Sequence, residues 1–109
     1  MTSLFNRRSL FAAAFLILQA PAFAMAEDVK VSIDNFAFTP DTIQVKVGST
    51  ITFTNHDDIP HSVVASDGSF HSKALDTDQS FTFTPTKAGD LPYFCGLHPH
   101  MKAKIVVVP

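Results

Sequence analysis

The stretch Val45-Lys46-Val47-Gly48-Ser49-Thr50-Ile51-Thr52-Phe53-Thr54-Asn55 alternates apolar and polar residues on both sides of a Gly-Ser turn. Period two written in Val, Ile, Thr and Phe is the pattern of half-buried strands, whose successive side chains point to opposite faces of a sheet. The alternation recurs outward in both directions. Val29, Val31 and Ile33 flank Lys30 and Ser32, Ile43 and Val45 flank Gln44, and Phe81 and Phe83 sit among Ser80, Thr82 and Thr84. Ile105-Val106-Val107-Val108 is continuous and β-branched, as in a strand buried on both faces or in the core of a sandwich. Turn residues separate the runs at Thr39-Pro40-Asp41, Gly48-Ser49, Asn55 to Pro60, Asp67-Gly68 and Lys87 to Asp90. Short strands at this spacing predict an all-β sandwich or barrel. Residues 71–79 have room for one helical turn, but Asp76, Thr77 and Asp78 favour a loop.

The first 26 residues do not share this pattern. Arg7 and Arg8, the only arginines, precede an apolar run from Leu10 to Leu18, and Ala24-Met25-Ala26 follows before Glu27-Asp28. A basic start, a short apolar run and an A-x-A site are the parts of a secretory signal peptide. The run is far short of the roughly 20 residues a bilayer span requires. Asn6-Arg7-Arg8-Ser9-Leu10-Phe11 also has the look of a twin-arginine export pattern, which leaves the export route open between that and the general secretory one. The expected division is therefore 1–26 signal peptide and 27–109 a single domain.

Cleavage there changes the composition. Of 109 residues 83 remain, with six lysines against ten acids, a formal charge of −4. That composition is globular and carries no excess of basic residues for nucleic-acid binding. Seven phenylalanines remain (36, 38, 53, 70, 81, 83 and 94), enough to supply most of a core without disulfides. Cys95 is the only cysteine, which excludes an intramolecular disulfide. An unpaired thiol in an exported protein invites oxidation unless something occupies it.

The chemistry concentrates in Tyr93-Phe94-Cys95-Gly96-Leu97-His98-Pro99-His100-Met101. Cys95, His98 and Met101 are spaced by three, and His61 lies 34 residues upstream after Pro60. Taken singly, a buried cysteine is a small hydrophobe, a methionine fills a core, and either histidine could sit in an ordinary loop. Together they are one thiolate, two imidazoles and one thioether. A His₂Cys trigonal set with a weak axial Met is the donor set of a blue-copper electron-transfer site. Zinc is the competing metal, but thioether is a poor zinc ligand and Met101 favours copper. Pro99 stiffens the loop by fixing its own φ. His100 belongs on the exposed rim, and His56 and His71 read as loop residues.

These residues resemble those of the cupredoxins, the small type I copper proteins, and most of all the amicyanin branch. The likeness covers nearly all of 27–109. Ile33 to Pro40 resembles the family's first strand and turn, and Val45 to Asn55 its Val-x-x-Gly-x-x-Val-x-Trp/Phe-x-Asn segment. Ile59-Pro60-His61-Ser62-Val63 resembles the segment of the upstream ligand, and Cys95-x-x-His98-x-x-Met101 the amicyanin ligand loop. The resemblance implies a Greek-key sandwich of eight-strand type with copper near one end, and one-electron transfer in a bacterial periplasm. It implies His61, Cys95 and His98 as strong ligands and Met101 as the axial one. Electrons would leave through His98, inside an apolar rim with Leu97 and Pro99. Amicyanin relatives take electrons from amine dehydrogenases and pass them to c-type cytochromes; a monomer that docks such redox proteins is expected, with no nucleic-acid partner and no membrane span after processing. The chain departs from the pattern in places. Ser62 stands where the family often has an Asn that tethers the ligand loop. Gly96 and Leu97 stand where it has small or proline residues, His100 at a position often aromatic, and Ala103 where glycine is frequent. A copper chaperone or store would use the same soft donors, but Met-rich or His-rich tracts are absent. Enzymatic oxygen or nitrite chemistry calls for further histidine ligands that two spent histidines out of five do not leave.

Overall fold

The computed structural model describes residues 26–109, so the segment read as a signal peptide lies outside the described residues except for Ala26. Eight strands and no helix occupy the described residues: β1 Asp28–Asp34, β2 Ala37–Thr39, β3 Thr42–Lys46, β4 Thr50–Asn55, β5 Val64–Ala65, β6 Ser80–Phe83, β7 Gly89–Phe94 and β8 Lys102–Val108. They form two four-stranded sheets, ordered β2-β1-β4-β6 and β3-β8-β7-β5. The expected all-β sandwich is the architecture found. Each sheet is mixed. β1 runs parallel to β4 and β3 parallel to β8, while the other neighbours are antiparallel.

The period-two residues face inward as their pattern requires. Val31 and Ile33 from β1, Ile51 and Phe53 from β4, Ile43 and Val45 from β3, and Ile105 and Val107 from β8 are buried between the sheets. β8, continuous in sequence, still alternates: Val106 and Val108 are only half-buried. Tyr93 of β7 joins the cluster edge-on to Phe38 and Phe53, with ring centroids 4.8 and 5.4 Å away. Residues 71–79 carry no helical turn. Two strands escape the sequence pattern because they are too short to show a period: β2 has three residues and β5 two.

This topology determines where side chains can meet. β1 and β4 are parallel and end together at Asp34 and Asn55, and β6 leaves from the same end. In the other sheet β7 ends and β8 begins there, joined by residues 95–101. The loop carrying His61 and the loop carrying Cys95, His98 and Met101 therefore share one end of the sandwich.

Candidate metal centre

Cys95 follows the last residue of β7 and continues its inward face after Tyr93, which makes the thiol wholly buried. The chain then turns back within six residues. The Met101 amide donates to His98 O at 2.9 Å, and the Cys95 amide donates to Met101 O at 3.0 Å. The backbone of Met101 is thus paired with that of Cys95 across the neck of the loop, and its side chain is buried in the core cluster.

His61 reaches the site from the other sheet's loop, and that loop is held at several points. The backbones of His61 and Leu75 exchange two hydrogen bonds of 3.1 and 2.7 Å. Buried Asn55 donates from Nδ2 to Ile59 O and Leu75 O, both at 2.9 Å, and accepts from the Asp57 amide at 2.9 Å. The ring of His61 is wholly buried, and its Nε2 lies 2.8 Å from Asp57 Oδ2. An ionised carboxylate only accepts, so Nε2 carries the proton and Nδ1 presents its lone pair.

That lone pair meets the thiol. Sγ of Cys95 is 3.7 Å from Nδ1 of His61 and 3.7 Å from Nδ1 of His98. All three donor atoms lie within 4.8 Å of one another, the one such cluster among the described residues. The equal spacings have a simple source. An ion bonded to nitrogen at about 2.0 Å and sulfur at about 2.3 Å, with about 120° between the bonds, holds the two atoms about 3.7 Å apart. The donor chemistry and the separations therefore fit one trigonal His₂Cys ion, and Met101, the fourth donor the sequence suggested, is buried at the neck of the same loop.

The polar surroundings suit a thiolate. The Ser62 amide donates to Cys95 Sγ at 3.3 Å, and the Gly96 amide donates to Ser62 Oγ at 2.9 Å. Ser62 therefore provides a tether between the two ligand-bearing loops, where the resemblance led one to look for asparagine. The fit depends on glycine: a Cβ on residue 96 would lie 2.8 Å from Ser62 Oγ and 3.2 Å from Val64 Cγ2.

Two residues beside the site carry no signal in the sequence. Asp57 accepts from His61 and also from the amides of Asn35 (2.7 Å) and Phe36 (3.0 Å). These donors, the Phe36 amide foremost and then His61 and the Asn35 amide, hold its carboxyl down at about 2 against an ordinary 3.8, although burial pulls the other way. Phe36, one of the seven phenylalanines from which the sequence predicts a core, is 46% exposed. Its ring stands edge-on to both His61 and His98, with centroids 5.4 and 5.3 Å away. Neither role shows in local spacing, because each joins turns more than twenty residues apart. The remaining histidines are where the sequence put them. His100 is exposed and edge-on to His98 at 6.3 Å, and His71 is exposed. His56, also exposed, has Nδ1 3.9 Å from Asp78 Oδ1.

Comparison with known proteins now decides the family. The cupredoxin-like domain family matches residues 8–107. The chain belongs to the cupredoxins. It is 32% identical over 94 residues to amicyanin of Paracoccus denitrificans, a match covering 78% of this chain and 72% of that one. The solved Cu(I) form of an amicyanin variant superposes with a TM-score of 0.70 at 30% identity, covering 78% of this cupredoxin and 86% of that chain. A copper-containing nitrite reductase from Thermus scotoductus gives a TM-score of 0.71 at 28% identity, over 84% of this chain but only 24% of that enzyme. The fold thus also serves as one part of a larger enzyme.

Proposed function

We propose that this cupredoxin is an exported, periplasmic one-electron carrier in which His61, Cys95 and His98 would hold copper as its strong ligands and Met101 would be the weak fourth one. The observation that carries the reading is the pair of 3.7 Å separations from Cys95 Sγ to the two imidazole Nδ1 atoms. Copper bound there supplies the Cu(I)/Cu(II) couple, with thiolate and thioether favouring the reduced ion. The chain's own groups do the rest. Asp57 keeps the His61 proton on Nε2 and so aims Nδ1. Ser62 directs an N–H at the sulfur and anchors Gly96, which limits how far the ligand loop can shift when the charge at the site changes. Burial of Cys95 and His61 keeps water from replacing a donor. A site that rearranges little exchanges electrons with little reorganisation.

His98 is the half-buried ligand, and Leu97 beside it is 51% exposed. Redox partners dock there, against Leu97, His98 and Pro99, as the resemblance implies: an amine-oxidising dehydrogenase as donor and a c-type cytochrome as acceptor. The protein acts as a monomer and as a carrier, as the resemblance to amicyanins implies. Among the described residues no helix is long and apolar enough to cross a membrane. Residues 1–26 direct export and are removed, which N-terminal sequencing of the exported protein checks.

Adding Cu(II) to the apoprotein tests the function directly. An intense blue thiolate-to-copper band and reversible one-electron reduction are expected, with no band in Cys95→Ala. A colourless copper complex of the unsubstituted protein rules the proposal out.

A further inference from the structure

The β1–β2 hairpin turns on two residues, and both have left-handed backbones: Asn35 at φ 52° and Phe36 at φ 57°. This is the two-residue turn that favours Asn-Gly, because glycine bears the second positive φ without a Cβ penalty. Asparagine is at home at the first position. A bulky aromatic at the second is an outlier that the surrounding structure must enforce. Here the Asp57 carboxylate enforces it by accepting from both turn amides. Burial does not repay the strain, because the ring stays 46% exposed. The ring instead lies against the edges of both histidine ligands, with exposed Leu97 next to His98 in the ligand loop. Phe36 and Leu97 thus give the surface around the half-buried ligand two large exposed apolar side chains.

Charge around this surface is uneven. Residues 33–37, 55–61 and 75–79 form three segments bound to one another. His56 N donates to Ile33 O, Asn55 N to Gln79 O, Asp78 N to Asn55 O, and Thr77 Oγ1 to Asp57 O. These loops carry exposed Asp34, Asp58, Asp76 and Asp78, and no lysine or arginine. On the Leu97 side, Lys73 lines the same surface groove as Leu97 and Gly96. The end of the sandwich is therefore acidic beside Phe36 and has a lysine beside Leu97.

We infer that Phe36 is the anchor of a docking face for a redox protein whose own face has an apolar centre and a lysine- or arginine-rich rim, the rim meeting Asp34, Asp58, Asp76 and Asp78. This rests on the electron-carrier reading and adds the partner's chemistry to it. Complementary charge steers encounter and fixes orientation, while a central aromatic supplies the contact. A second copy of the chain is a poor occupant, since it would bring four more carboxylates to the same rim.

The test uses the copper-loaded protein and measures electron transfer to two acceptors, a lysine-rich c-type cytochrome and hexacyanoferrate(III), from low to high ionic strength. Phe36→Asn and Phe36→Gly suit the left-handed turn, so both should fold with an unchanged or higher thermal midpoint and keep the blue band. Each should slow transfer to the cytochrome about tenfold, the loss of one modest interface anchor, and transfer to hexacyanoferrate by less than about threefold. Changing Asp34, Asp58, Asp76 and Asp78 together to Asn should slow the cytochrome reaction about tenfold at low salt and abolish most of its salt dependence. Equal slowing toward both acceptors in the Phe36 variants overturns the inference, because Phe36 would then only shield the ligands. So does a cytochrome rate indifferent to salt, or concentration-dependent self-association lost in Phe36→Asn. Failure of the carrier reading looks different: the unsubstituted protein would exchange no electrons even with hexacyanoferrate.

Discussion

The two histidines of the proposed copper centre sit in opposite kinds of structure. His61 is wholly buried, its backbone joined to Leu75 by two hydrogen bonds and its ring hydrogen-bonded to Asp57. His98 is half-buried, on a seven-residue loop whose own hydrogen bonds close only its neck. One is positioned by a polar network spanning three loops, the other by chain spacing, the Gly96–Ser62 hydrogen bond and ring contacts with Phe36, His61 and His100. The difference teaches that the two sides of such a site can be held unequally, His61 by a dense polar network and the His98 loop by a single tether to Ser62. The buried arm holds the geometry, which leaves the exposed arm free to face a partner.

Removing each ring breaks the comparison most sharply. His98→Gly leaves a gap open to solvent, and added imidazole should restore a blue band nearly completely. His61→Gly leaves a closed gap, and the same imidazole should restore almost none. Visible spectra of the two variants check this; equal rescue would mean that His61 is as accessible as His98.

The next effect concerns Asp57. Asp57→Ala leaves the amides of Asn35 and Phe36 and the ring of His61 without their acceptor. Lost hydrogen bonds to a charged group cost about 1.5–3 kcal/mol each and are not additive, so about 3 kcal/mol of apoprotein stability should go. Copper affinity should fall about 10–100-fold, as when the outer partner of a ligand histidine is removed. Chemical denaturation and competitive copper titration measure the two losses. Acid should mimic part of the effect. The Asp57 carboxyl is depressed in the folded state, so its contribution is full above its ordinary pKa of 3.8 and fades as pH falls towards about 2. Apoprotein denaturation between pH 4 and pH 2 should show this slope, and Asp57→Asn should lack its share.

Smaller again is the Ser62–Gly96 contact. Gly96→Ala places a Cβ 2.8 Å from Ser62 Oγ, an overpacking worth about 1–3 kcal/mol. Ser62→Ala in the same chain removes the clashing oxygen and should restore part of that loss, so the two substitutions couple with opposite sign in a double-mutant cycle. The smallest effect belongs to Tyr93, whose buried hydroxyl has no hydrogen-bond partner among the described residues. Burial pushes its pKa well up, which keeps the phenol neutral. Tyr93→Phe should be neutral or stabilising by about 1 kcal/mol, read by thermal melting.

Much of this was legible in the chain. The inward residues of β1, β3, β4 and β8 follow from period two, because each sheet has one face on the core. Cys95, His98 and Met101 announce themselves by spacing, because a hairpin loop brings near neighbours together. Asp57 and Phe36 could not be read that way. Asp57 is one of ten acids until the β1–β2 turn, 22 residues away, is seen to point its amides at it. Phe36 looks like six other phenylalanines until its φ turns it out of the core. Ser62 was visible only as a departure from a pattern, and its hydroxyl turns out to tether the ligand loop.

The parallel pairings have one further consequence, for the order of events in folding. Cys95, His98 and Met101 are gathered by the β7–β8 hairpin, a local structure. His61 reaches them only once the sandwich has closed. Closure requires Asp28 to find Thr50 and Thr42 to find Lys104, partners 22 and 62 residues apart. Contacts of that range form late and slowly. The hairpin can therefore offer three donors early, while the fourth arrives with the native topology. In a refolding experiment with copper present, the blue colour becomes a clock for the last long-range closure rather than for the collapse that precedes it.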